Sequence, residues 1–378
     1  MKTEIRTRWN SGVGVKSIIA ASAGVPHSLE MASNIYELDP LCDPRWTALV
    51  ESHPQSSVFH STSWLRALQT VYGYEPVAVT TCPPQASLTN GLVFCRVKSW
   101  LTGWRFVSLP FSDHCEALID SPDNLDAMLL HMKRDLDKRG WQYVEMRPVS
   151  HRPSSRTEMR ECLTYRFHRL DLRRNTQELF HAFHKDCVQR KIRRAEREEL
   201  KYEEGNSEAL LQKFYGLMVT TRRRQYLPPQ PLAWFRGLIA TFGNDLKIRV
   251  ASQGDVPIAS ILTLSHKRSV VYKYGGSIAS LHKLGGMAFL FWKTIQEAKD
   301  NGLEEFDLGR SDNDNQGLIA FKEHWGAIGA VLSYWKYPPP KPAVPRSAWK
   351  TNLTRRLIRV APDSALEAVG TLLYRHIG

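Results

Sequence analysis

Short apolar runs and longer stretches of helical spacing follow one another along this chain. "NIYELDP" (34–40) predicts a strand. "DPRWTALVESHP" and "STSWLRALQTVYGY" predict helices, with Ser61 as N-cap and Gly73 as stop signal. "EPVAVTTC" and "GLVFCRVKSWL" are β-rich and bounded by turn residues. Leu125, Met128, Leu129 and Met132 repeat on one helical face that Gly140 ends, and "WQYVEMRPV" reads as a strand.

A polar stretch at 150–162 reads as a connector. Beyond it, "YRFHRLDL" predicts a strand, and Asn175 to Leu200 one long helix with the stripe Phe180, Phe183, Cys187, Val188, Ile192 and Ala195. Two further helices precede three strand-like runs, "LKIRVAS", "VPIASILTLSH" and "SVVYKYGGS". A helix after His282, the strand "LEEFDLGR", a polar loop, the short helix "LIAFKEHWG" and the strand "AVLSYWKYP" complete the body. Both halves begin with helices and end in β-rich runs, so the expectation is an α/β (α+β) fold of two related lobes. The expected divisions are a flexible tail (1–33), a first lobe (34–150), a connector (151–162), a second domain (163–338), and a proline-rich linker with a basic amphipathic helix (339–378) carrying Arg355, Arg356 and Arg359.

Composition narrows the partners. The 51 Lys and Arg residues exceed the 38 Asp and Glu residues by 13, which favours an anionic partner: a nucleotide-type cofactor, nucleic acid or an acidic membrane surface. Six cysteines without a C-x-x-C pair argue against a disulfide framework or structural zinc, and for reduced thiols in the cytosol. The apolar stretches fall short of a bilayer span, and Lys16 interrupts the weak apolar patch near the N-terminus, which reads as a tail more than as a signal peptide.

The chemistry concentrates at "HKLGGMA" (282–288), where a helix begins. A helix start leaves backbone N–H groups without intrahelical partners at the positive end of the dipole. Gly285, Gly286 and Ala288 keep side chains away from those donors, and His282 and Lys283 add charge, which suits a pyrophosphate. The alternative is a tight turn whose glycines serve only the backbone. Neither the Walker pattern G-x-x-x-x-G-K-[ST] nor G-x-G-x-x-G is present.

The run K-x-x-G-x-A at 283–288 resembles the acyl-CoA signature of the GNAT acetyltransferases, with Lys where that family has Arg or Gln. "VYKYGGS", "FDLGRSDNDNQGLIAFKEHWGA" and "CVQRKIRRAEREELKYE" resemble the FemAB-like branch of that superfamily. The resemblance covers residues 163–338 and extends weakly to the first half. It implies a GNAT fold, with two tandem lobes on mixed central sheets and a C-terminal helical tail. It also implies transfer of an acyl group from acyl-CoA, or of an aminoacyl group from aminoacyl-tRNA, to an amine. A Phe-Lys pair supports transfer in that family, and the match falls on Phe321 and Lys322.

Other candidates come from the residues themselves. Asp312 or His324 could take the amine proton, and Asp307 could orient Arg310. Tyr274, with Tyr272 and Tyr334, could line the cleft or pack the core. Arg190 and Arg194 in "RKIRRAER", and Arg223 in a second cluster, could meet an anionic substrate or form solvated faces. His181 and His184 are spaced i, i+3, a possible metal pair, but no third ligand presents itself, so no metal is expected. The leading expectation is therefore an enzyme moving an acetyl-like group from acyl-CoA to an amine of a peptide, amino sugar or lipid-linked precursor, in envelope or exopolysaccharide metabolism. The expected site is cytoplasmic, with peripheral contact to an anionic membrane. A tRNA-dependent peptidoglycan-bridge enzyme and a non-enzymatic nucleic-acid or membrane-binding protein are the alternatives.

Overall fold

The structure, a computed structural model, describes residues 34–339, 358 and 360–377. The predicted N-terminal tail, most of the proline-rich linker and the arginines of the basic tail lie outside the described residues. The first half runs β1 (Tyr36–Leu38), α1 (Pro44–Ser52), α2 (Thr62–Tyr72), β2 (Glu75–Thr80), β3 (Leu92–Ser99), β4 (Gly103–Val107), α3 (Pro122–Arg139) and β5 (Tyr143–Met146). The second begins with β6 (Arg160–Asp171), α4 (Thr176–Ala182), α5 (Arg190–Arg197), β7 (Lys201–Gly205), α6 (Glu208–Arg224) and α7 (Leu232–Phe242). It continues with β8 (Leu246–Gln253), β9 (Val256–His266), β10 (Ser269–Ser277), α8 (Gly286–Asp300), β11 (Glu305–Asp312), α9 (Gln316–Glu323) and β12 (Ile328–Tyr337), and α10 (Asp363–Ile377) follows.

The twelve strands of the described residues form one sheet, ordered β1-β2-β3-β4-β5-β12-β6-β11-β10-β9-β8-β7. β12 lies antiparallel between β5 and β6, so the last strand of the second half joins the two halves. Among the described strands, only the pairs β4/β5 and β10/β11 are parallel. A parallel neighbour needs a long crossover, and α3 and α8 supply the two. The order is thus nearly mirrored about the β12/β6 seam.

The core explains this arrangement. Trp46 and Trp64 from the first half pack with Phe214 and Trp234 from the second in one apolar cluster. α3 buries Leu125, Met128, Leu129 and Met132 as their spacing predicts. α5 and α8 cover the second half through Ile192, Phe289 and Ile295.

The predicted long helix from Asn175 to Leu200 is broken. Phe183 ends α4 with an extended backbone, and His184 starts a π-helical turn (Lys185–Gln189) by accepting the Cys187 N–H on its ring. Phe183 packs against Trp292 and Trp325, a tertiary contact that overrides the helical periodicity. Two short strands, β4 and β7, went unmarked in the sequence pattern. The polar connector is partly structured: Glu116 accepts the N–H groups of Val149, Ser150 and His151, and β6 starts at Arg160. α10 docks on the body, where the Tyr74 hydroxyl donates to Tyr374 O (2.9 Å) and Arg105 to His376 O (2.7 Å). Among the described residues, no helix is long and apolar enough to cross a membrane.

Candidate active site

β10 and β11 are hydrogen-bonded only at their starts, Ser269–Val271 against Glu305–Asp307, and then diverge. Each strand is irregular just where they part. The β10 register shifts between Tyr272 and Tyr274, and the β11 register between Asp307 and Arg310, where Gly309 takes φ +69°. Bulges of this kind re-aim side chains. Here the β10 irregularity turns Lys273 toward Asp113, at 3.1 Å, which arrives on the β4–α3 loop of the first half. A side chain on Gly309 would place its Cβ 2.8 Å from the Asp113 carboxylate, so only glycine lets the two halves meet here.

Several charges surround Asp113. Arg310 Nε lies 3.8 Å away, with its guanidinium 4.1 Å above the Tyr165 ring, and Tyr334 donates to the Asp113 carbonyl at 2.6 Å. Burial would raise the Asp113 carboxyl, but Lys273 and Arg310 outweigh it and hold the group below the usual range. Burial pushes the Lys273 ammonium down, against the pull of Asp113. Lys322, on α9, is buried and donates to Gly309 O (2.9 Å) and Arg310 O (3.0 Å). Two of its three N–H donors are thereby used. Burial lowers Lys322 to about 8, opposed by Asp113 and Asp307.

Asp307 does not orient Arg310. Its carboxylate accepts from Gly309 N (2.7 Å) and pairs with His114 Nε2 (2.8 Å), bracing the β11 irregularity from behind.

A cleft of about 290 Å³ runs from the α8 N-terminus to Tyr272 and Phe321, the sequence neighbours of Lys273 and Lys322. No side chain caps α8 and no acid lies in its first turn. The N–H groups of Gly286, Met287 and Ala288 donate no hydrogen bond to the described residues, and all three residues line the cleft. The glycines also serve packing. A Cβ at Gly285 would sit 2.2 Å from Lys191 O, and one at Gly286 3.0 Å from Ala259 Cβ.

The basic groups of the cleft differ from those expected. Lys283 is exposed and off the cleft wall, while Lys191 and Arg224 line it. His282 lines the cleft but shares a hydrogen bond with Ser277 (2.8 Å), and partial burial, with Arg224 and Lys191 nearby, holds its imidazole below the usual value.

The other predicted residues scatter. Asp312 is exposed at the end of β11. His324 stands against His184, with ring centroids 4.6 Å apart, and not among the charges around Asp113. Arg190 and Arg194 pair with Asp186 and Glu198 on an exposed face. Arg223 holds the tail instead of a substrate, donating to Ala361 O (2.6 Å) and pairing with Asp363. Tyr274 lies in the core, its hydroxyl accepting from Trp234 and Gln230. The structure therefore brings Lys322, Arg310 and Asp307 together around Gly309, and sets Phe321 on the wall of the cleft that holds the cradle. It adds Asp113, Lys273 and His114, which no local pattern marked.

Residues 182–323 match the acetyltransferase (GNAT) domain family. A 154-residue stretch is 27% identical to UDP-N-acetylmuramoylpentapeptide-lysine N(6)-alanyltransferase from Weissella viridescens, covering 38% of this chain and 46% of that protein. The chain thus matches about half the length of this curated relative. In three dimensions it resembles FemX, with TM-score 0.64 at 14% identity over 80% of this chain and 97% of the other. It also resembles a tandem GNAT protein from the clavulanic acid biosynthesis pathway, with TM-score 0.51 at 10% identity over 82% and 99%. At these identities the structural likeness speaks to fold, and the fold is that of GNAT-like lobes in tandem.

Proposed function

We propose that this chain, an acyltransferase of the GNAT superfamily in its FemAB-like branch, moves an aminoacyl group from aminoacyl-tRNA to a primary amine of a peptide acceptor. The observation that carries this reading is the placement of Asp113 from one lobe against Lys273, Arg310 and the Lys322-bound backbone of the other, with Tyr272 and Phe321, the sequence neighbours of Lys273 and Lys322, on the wall of an open cleft. The relative from Weissella viridescens, an alanyltransferase acting on a lysine of a UDP-linked muramoyl pentapeptide, supports the aminoacyl donor and the peptide acceptor.

In this reading the amine nitrogen attacks the ester carbonyl, a C–N bond forms and the C–O bond to the ribose breaks. The proton lost by nitrogen leaves with the ribose oxygen. Asp113, held ionised by Lys273, orients the amine and steadies its developing positive charge. The third N–H of Lys322 faces the oxyanion, and Arg310 adds positive potential beside it. The α8 amides, Lys191 and Arg224 hold the donor's phosphate. The acceptor is a peptide or lipid-linked precursor met on the cytoplasmic side.

Acyl-CoA is the second reading, favoured by the three uncapped amides, which suit a diphosphate. Incubation with alanyl-tRNA or acetyl-CoA, a lysine-containing muramoyl pentapeptide or glucosamine, and mass spectrometry of the products separates them. Alanylated peptide, abolished by ribonuclease, is expected. Acetylated product would move the donor to CoA, and no product with any pairing would remove the enzymatic reading.

A further inference from the structure

Away from the transfer centre, three metal-ligating side chains from two separate segments converge. His184 caps the π-helical turn, Cys187 lies within it, and His324 ends α9. One ligand atom from each lies within 4.8 Å of the other two. The backbones are already tied, because His184 N–H donates to His324 O at 2.9 Å. The preceding Phe183 and the following Trp325 are both buried and packed together, with centroids 4.9 Å apart. The ligands therefore project from an anchored contact and not from free loops. The π-turn sets His184 and Cys187 on one side, and such turns are frequent at functional sites.

We propose that His184, Cys187 and His324 form a zinc(II) site with two imidazoles and one thiolate, leaving the fourth position to water. Imidazole and thiolate are the ligands zinc prefers, and the bond lengths of about 2.0 and 2.3 Å require the three atoms to close by roughly 1 Å. Binding releases one proton, from the Cys187 thiol, to solvent. If His184 binds through Nδ1, the cost is one 3.2 Å hydrogen bond from Cys187 N–H. The surroundings are mixed in charge. Lys191 lies near His324 and opposes a cation, while Glu323 favours one and Asp186 is engaged by Arg190. The ion would fasten the end of α9, two residues beyond Lys322, to the turn leading into α5. This proposal stands independently of the donor and acceptor assignments.

Cobalt(II) and zinc titration of the full chain tests it. The expected result is one equivalent bound, a cobalt–thiolate charge-transfer band and the intense visible bands of tetrahedral cobalt. Cys187→Ser removes the charge-transfer band, His184→Gln and His324→Gln each weaken binding by about a hundredfold, and Cys42→Ser changes nothing. Zinc raises Tm of the parent and of Cys42→Ser, but not of Cys187→Ser. Circular dichroism confirms that each variant is folded. A charge-transfer band that survives Cys187→Ser, affinity that ignores both histidine variants, or no binding at micromolar metal would each overturn the site.

Discussion

The two parallel junctions of the sheet, β4/β5 and β10/β11, occupy mirrored positions and are put to different uses. In the first, the crossover helix α3 opens with Pro122 and Asp123, which leave no cradle for an anion. Arg147, just beyond β5, donates to Leu109 O and Ser112 O and so ties down the loop after β4. In the second, α8 opens on glycine with free amides, and the gap takes Lys273, Arg310 and the incoming Asp113. The closed junction thus supplies to the open one the acidic group that it lacks. One lobe opens the cleft and gathers the charges, while the other holds a loop in place.

The sharpest way to break this comparison is to remove the group that crosses over. Asp113→Asn should lower turnover by about 10³. It should also cost about 3 kcal/mol of stability, because Lys273 is left buried without its partner. Adding Lys273→Met should restore most of the stability in urea denaturation and none of the turnover. Recovery of activity in the double variant would show that Asp113 only neutralises Lys273. Lys322→Met should lower kcat by about 10² with donor affinity nearly unchanged.

If the first junction is structural alone, Glu145→Gln should leave turnover of the folded protein near that of the parent. Glu145 is buried between Arg147 (2.8 Å) and Lys336 (2.7 Å). Burial would raise its carboxyl, but those two cations lower it to about 2. A carboxyl lowered on folding stabilises the protein above its unfolded pKa, about 4.3, and loses that effect as pH falls through the folded value. The parent should therefore exceed the variant by about 3 kcal/mol at neutral pH, with the gap closing toward pH 2. A gap that does not vary with pH would contradict the assignment.

The smallest effect sharpens the contrast between the two helix starts. Met287→Asp places an acid in the first turn of α8, as Asp123 does in α3. Helix stability should rise by about 0.5 kcal/mol while donor affinity falls about tenfold. Unchanged affinity would move the donor phosphate away from these amides.

Much of the fold was legible because it is written locally. The α3 stripe, the strand alternation and the glycine-led start of α8 each depend on residues a few positions apart. The Phe321-Lys322 pair was found by resemblance, and Lys322 does lie at the junction. Lys273 was hidden inside "SVVYKYGGS", which reads as an ordinary strand until the register shift turns it. Asp113 and His114 sit in a loop some 160 to 200 residues from their partners, and no periodicity reports such a meeting. Cys187 read as one member of a helical stripe, because a π-turn adds a residue to the turn without altering composition. Arg223 failed in the opposite direction: its chemistry suits an anionic ligand, but the tail reaches it first.

The unbroken ladder of twelve strands has a mechanical consequence. Proteins that clamp their ligands by swinging domains need a few backbone positions free to rotate. Here β12 is bonded along both edges, to β5 and to β6, so any scissoring of the lobes would tear hydrogen bonds in the middle of a beam. The charges around Asp113 must then be registered when the chain folds, and any widening of the cleft falls to side chains and surface loops.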